Sequence, residues 1–227
     1  MKRFYTAESV TEGHPDKLCD LIADSILDAC LKEDENSRVA CEVLATKGNI
    51  IVQERLPADL SHRCLKSSKR CWRVQAMKQR KSTWMPHPQT ESGYRRGSGE
   101  IQGTQSRDCF CSERTCQRCR GSGIMIGYAC DETPQLMPMP VVLANRIVRE
   151  LSASRRSGYI TGILPDGKAQ VTVEYEDDRP VRLDTVVVSC QHEKEKSLRK
   201  LEHEIREKVL RPALRMLPPD EDTKILD

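Results

Sequence analysis

An abrupt change of composition over residues 53–122 limits what this chain can fold into. Those 70 residues hold 15 Lys and Arg against 6 Asp and Glu, a local net charge of +9. The whole 227-residue chain carries only +3, so the remainder carries −6. The same stretch contains just five Leu, Ile or Val residues (Leu56, Leu60, Leu65, Val74 and Ile101), too few to pack a core. Neither a helical nor a strand period is sustained there, and Pro86-His87-Pro88 and Gly97-Ser98-Gly99 supply turn formers. Taken alone, 53–122 reads as disordered. Any core must therefore come from two flanks, 1–52 and 123–227.

Both flanks have clear periods. Pro15 suits the first turn of a helix, because its missing N–H would be unpaired there anyway. Leu18, Ile22, Ile26, Cys30 and Leu31 then fall on one face as far as about Lys32. Alternation over Arg38–Thr46 predicts a strand, Lys47-Gly48-Asn49 a turn, and Ile50-Ile51-Val52 the start of a returning strand. Beyond the basic segment, Ile124-Met125-Ile126 is a short strand candidate. Val141, Leu143, Ala144, Ile147, Val148 and Leu151 mark a helix after Pro140. Ala169–Tyr175 and Val181–Ser189 predict a hairpin turning at Glu176-Asp177-Asp178-Arg179. Leu198, Leu201, Ile205, Val209, Leu214 and Leu217 predict a final helix kinked at Pro212. Helices alternating with strand pairs imply an α+β fold with helices on one face of the sheet.

No apolar run approaches the roughly 20 residues that span a bilayer. Acidic residues follow Met1 too soon for a secretory signal, and eleven cysteines without one predict reduced thiols and a cytoplasmic protein.

Three places could carry chemistry. Gly13-His14-Pro15-Asp16-Lys17 opens the first helix, where unpaired N–H groups and the positive dipole end suit phosphate. His14 could donate to a phosphate oxygen, Asp16 could hold Mg²⁺, and Lys17 adds charge; spacing alone still favours a plain helix cap. Pro165-Asp166-Gly167-Lys168 is a common turn signal, with Lys168 solvated on the plain reading. Glu42 could ligate a cation, but the alternating pattern favours an outward surface residue.

Longer stretches add to this. Glu8–Lys17 and Gly123–Ala129 resemble signature segments of S-adenosylmethionine synthase, as do Leu136-Met137-Pro138, Leu164–Lys168, Gln170–Tyr175 and Ser189–His192. The similar flanks cover roughly 155 of the 227 residues. The resemblance implies repeated β-α-β-β-α-β domains, here incomplete, and a methionine adenosyltransferase. In such an enzyme the methionine sulfur attacks the 5′ carbon of ATP, and the displaced tripolyphosphate is hydrolysed to phosphate and pyrophosphate. It further implies that His14 and Lys168 act in catalysis on the polyphosphate and that His14, Asp166, Gly167 and Lys168 contact ATP. Asp16 would hold Mg²⁺ and Glu42 K⁺. Sites between subunits of a homodimer or homotetramer are implied too.

The resemblance fails in the middle. Arg55 stands where the family places a methionine-binding glutamate, and the Gly-Asp-Gln-Gly stretch is absent. Permitted codons for Cys109–Gly123, read one nucleotide out of frame, end in Gly-Asp-Gln-Gly, and codons for Val52–Leu56 can yield Ala-Gly-Glu-Val. A shifted reading frame over about 53–122 is the implied cause. Together with a C-terminus well short of the family's, it predicts an impaired or inactive synthase. Two other readings stand beside it. One is a non-catalytic partner of an intact subunit. The other is a zinc and nucleic-acid module on Cys109, Cys111, Cys116 and Cys119 among eleven arginines; no apolar residues surround those thiols, so neither zinc nor nucleic acid is expected.

Overall fold

A computed structural model describes residues 1–37, 39–46, 49–56, 94–100 and 126–226. In chain order its elements are β1 (Lys2–Val10), α1 (Pro15–Glu33), β2 (Ala40–Thr46), β3 (Asn49–Leu56) and β4 (Tyr94–Glu100). There follow α2 (Met139–Ser157), β5 (Ile163–Glu176), β6 (Arg179–His192) and α3 (Leu198–Ile205). A wide π turn (Arg206–Leu210), the short α4 (Arg211–Ala213) and β7 (Lys224–Leu226) complete them. Helices and strands are mixed in the α+β manner, in two sheets. One has the order β1-β5-β6-β7, the other β2-β3-β4.

The larger sheet joins the two flanks. β1 runs antiparallel to β5 over its whole length, from Lys2 opposite Glu176 to Val10 opposite Lys168. β5 and β6 form the expected hairpin, with Glu176 paired to Arg179. Asp177 and Asp178 take φ of 47° and 62°, as a two-residue type I′ turn demands and as aspartate tolerates. Along β5 the inward residues Ala169, Val171, Val173 and Tyr175 are buried, and Gln170 and Thr172 between them are not. α2 lies over this face with Leu143, Ile147, Val148 and Leu151 buried, and Leu201, Ile205, Val209 and Leu214 extend the same core. Burying each such side chain contributes about 1.5–3 kcal/mol.

α2 starts without a side-chain cap from Pro138. The Glu132 carboxylate performs that task from outside, accepting from Met139 N at 2.9 Å and from the Tyr175 hydroxyl. Gly158 closes the helix in the left-handed region at φ 73°.

The smaller core lies under α1, where Leu18, Ile22, Ile26 and Cys30 meet Ile50 and Val52 with Cys41, Val43 and Ala45 beside them. Leu31, expected on this face, is 39% exposed, because it lies a full turn's fraction past the Ile22–Cys30 line. The hairpin β2–β3 has its predicted register, while residues 47–48 of its turn lie outside the described residues.

Three further sequence readings are revised. Ile126 is 92% exposed and in no strand, and 124–125 lie outside the described residues. Pro165-Asp166-Gly167 is part of β5 and not a free turn. The final helix departs from α geometry before Pro212: Arg211 N–H bonds to the Arg206 carbonyl, five residues back, so the ring of Pro212 enters a widened turn. Within 53–122, only 53–56 and 94–100 are described; the latter, as β4, runs parallel to β3.

Candidate functional site

The mouth of α1 is built from a bulge in β5. Ile163 pairs with His192 and Gly167 with Cys190, so three residues of β5, Leu164–Asp166, oppose one of β6. Pro165 has no N–H for the ladder, which fits a bulge. Its carbonyl turns instead towards the loop between β1 and α1, accepting from Gly13 N at 3.2 Å and Thr11 Oγ1 at 2.6 Å. Thr11 N and Oγ1 also donate to the Gly167 carbonyl, at 2.9 and 3.2 Å. Contact is so close that a Cβ on Gly13 would lie 2.4 Å from the Pro165 backbone. One on Gly167 would meet Leu151 Cδ2 at 3.0 Å. Gly13 needs glycine for space, not for dihedral freedom, whereas at Gly167 a Cβ would press only on side chains that can shift.

His14 is the N-cap of α1. Its Nδ1 accepts from Asp16 N at 3.3 Å, which places the ring proton on Nε2 and leaves that N–H as a donor. Asp166 lies on the bulge against which the neighbouring Gly13 is packed. Burial pushes the Asp166 carboxyl above its ordinary range, and the attraction of His14 partly opposes this. The contact of Gly13 with Pro165 therefore brings the segments that carry His14 and Asp166, 152 positions apart in the chain, into one region.

Other predicted residues are placed less tightly. Asp16 lies in the first turn with 88% of its side chain exposed, so its oxygens are open to a ligand. Lys17 curls back and donates to the Val10 carbonyl at 2.6 Å. Lys168 Nζ stands 2.7 Å from Glu8 Oε2 on the neighbouring strand. Gly167 is buried beneath the loop. Glu42 belongs to the other sheet, exposed on the face of β2 turned away from α1. Among the described residues no group of three or more His, Cys, Asp or Glu could hold a metal ion. Cys109, Cys111, Cys116 and Cys119 lie outside the described residues.

Two neighbours of His14 were not singled out from the residues alone. Thr11 is 4% exposed, with its hydroxyl spent on the carbonyls of β5. Glu12 receives hydrogen bonds from Ser152 Oγ and from Arg155 Nη2, the latter at 2.6 Å, with Arg156 Nη1 3.7 Å away. Burial works against its charge, yet the Ser152 and Arg155 bonds hold its pKa below the ordinary carboxylate range. The sequence signal was the run Thr-Glu-Gly-His; the partners lie some 140 residues on.

A histidine that caps the first helix, packed through its loop against a bulged strand, sits here in a mixed α+β framework. The chain belongs to the S-adenosylmethionine synthetase family. The model of that family's N-terminal domain matches residues 2–78 and that of its central domain residues 117–226. A curated S-adenosylmethionine synthase of Parafrankia sp. is 40% identical over 234 residues, covering 95% of this chain and 56% of its own length. Proteins of the same name from Nocardioides sp. and Bifidobacterium adolescentis are 39% and 40% identical, with 99% and 93% of this chain covered. The chain spans just over half the length of these relatives. The two domain matches enter both ends of 53–122, and 79–116 belongs to neither.

Proposed function

We propose that this chain carries the ATP-phosphate part of a methionine adenosyltransferase site, making S-adenosylmethionine, phosphate and pyrophosphate from ATP, L-methionine and water. The observation that carries the reading is the tight packing of the α1 mouth, capped by His14, on the β5 bulge that bears Asp166. His14 Nε2–H donates to a phosphate oxygen, the helix N-terminus adds its dipole, and Lys168 reaches the phosphates by exchanging its Glu8 partner. Both His14 and Lys168 then support departure of the polyphosphate. Asp166 and Gly167 line the nucleotide.

Mg²⁺ is the fitting cation. Asp16 offers exposed carboxylate oxygens, and the unfavourable burial of the Asp166 carboxylate is relieved by a nearby positive charge. Bound there, Mg²⁺ would neutralise charge on the leaving group. Glu42 supplies one oxygen towards K⁺. The working assembly is a cytoplasmic homodimer or homotetramer.

Methionine binding is the impaired step. Arg55 on β3 replaces the acidic residue that would hold the substrate ammonium. Out-of-frame coding within 53–122 accounts for the replacement. Titration of MgATP into the chain should show binding that His14→Gln weakens about tenfold, a loss of one charge-assisted hydrogen bond. No binding by the unaltered chain at millimolar MgATP would overturn the nucleotide site. S-adenosylmethionine formation at the rate of an intact synthase would overturn the impairment. Translation of codons 50–125 in all three frames tests its origin: unrelated alternate frames would exclude a frame shift.

A further inference from the structure

We propose that Glu12 is a positioning residue: clamped by Ser152 and Arg155 of α2, it fixes the Thr11–Gly13 turn so that His14 keeps its place beside Asp166. The inference rests on the nucleotide reading above for its functional meaning, and on geometry for the clamp itself. The turn touches two bodies. Towards β5 it is held through Thr11 and Gly13, which bond to the carbonyls of Pro165 and Gly167. Towards α2 it is held through the Glu12 carboxylate, which takes Ser152 Oγ on one oxygen and Arg155 Nη2 on the other. Ser152 is buried, 6% exposed, while 21% of the Arg155 and 34% of the Glu12 side chain are exposed, so the clamp is partly shielded from water. Arg156, with 64% of its side chain exposed, is an outer contact.

Glu12 stands two residues before His14, and the intervening Gly13 has no side chain to brace the turn. With Glu12 bound at both oxygens, the turn is held from α2 as well as from β5. His14 then keeps the orientation in which Nδ1 accepts from Asp16 N. Without the clamp, the turn keeps its bonds to β5 through Thr11 and Gly13 but loses its tie to α2, which loosens the His14 cap. An imidazole displaced by even about 1 Å loses much of its value at a reacting phosphate.

A purely structural ion pair would behave differently, and amide exchange separates the two. The Asp16 amide reports the His14 cap directly, whereas amides of β5 and the middle of α2 report global stability. In Glu12→Ala the Asp16 amide should exchange about tenfold faster, with β5 and α2 amides changed less, and MgATP affinity should fall about tenfold. Glu12→Gln keeps an oxygen for Ser152 or Arg155 and should stay within about twofold of the unaltered chain on both measures. If Glu12→Ala does not fold, Ser152→Ala and Arg155→Met take its place with the same expectations. An Asp16 amide that exchanges as in the unaltered chain, or only in step with α2, overturns the proposal. If the unaltered chain fails to bind MgATP, the nucleotide reading falls, and the Asp16 amide alone decides whether Glu12 positions His14.

Discussion

The carboxyl of Asp166 lies half buried on a bulged strand, pushed above its ordinary pKa by burial and drawn back by His14. A carboxyl raised in the folded state stabilises the fold fully below its unfolded pKa, near 3.8. That contribution is lost as pH rises through the folded value. Asp166→Asn removes the titration, so the variant should be more stable than the unaltered chain at pH 7. Solvent screening of a half-exposed group limits the gain to a few tenths of a kcal/mol. Thermal melts from pH 3 to 8 should show the two curves diverging upward from about pH 4; parallel curves would contradict it. Gly13 presents a steric case. Gly13→Ala drives a methyl to 2.4 Å from Pro165 backbone and should cost about 1–3 kcal/mol in urea unfolding, where an unchanged midpoint would refute the close approach. The need for glycine here was invisible in Gly13-His14-Pro15, since the obstructing atoms are supplied by a strand 152 positions away. The helix cap itself was legible, because proline one residue after a polar side chain is a local signal.

Elements with a local period were read well, and those shaped by distant partners were not. α1 shows both. Ile22 is fully buried against β3, so Ile22→Ala should cost about 2–5 kcal/mol. Leu31→Ala, at a position 39% exposed, should stay within about 1 kcal/mol. Equal losses in chemical denaturation would show that the apolar stripe, not burial, governs the helix. β5 is the opposite case. Leu164–Lys168 has the composition of a turn, but Thr11 and Gly13 give the Pro165 carbonyl partners that an isolated Pro-Asp-Gly turn lacks. Tertiary bonds thus convert a turn sequence into a bulged strand. Pro212 announced a disturbance in the last helix correctly; the widened turn that absorbs it could not be told from a kink.

For the molecule as a whole, the acid limit is set by paired carboxylates. Glu204 is held below its ordinary pKa by Lys196 and Lys208 despite burial, and Asp220 by Arg182 and Thr223. Glu12 is depressed as well. Each contributes stability that is complete above its unfolded pKa and disappears as pH falls through the depressed folded value. Melting temperature should therefore be level above about pH 5 and drop steadily below about pH 4. Glu204→Gln should shrink that drop, and an unchanged acid limb would remove Glu204 from its causes. The division into two flanks around a basic segment was plain from composition, yet the sheet does not respect it, because β1 completes itself on β5.

That pairing has a cost in time. Lys2 finds its partner in Glu176, so on a ribosome β1 lacks its β5 partner until the hairpin that receives it has been synthesised. At about 5–20 residues per second the delay is roughly ten to thirty seconds. Throughout it Phe4, Tyr5, Ala7 and Val10 travel on an unpaired strand. β1 therefore stays open to association with other chains until the β5–β6 hairpin exists.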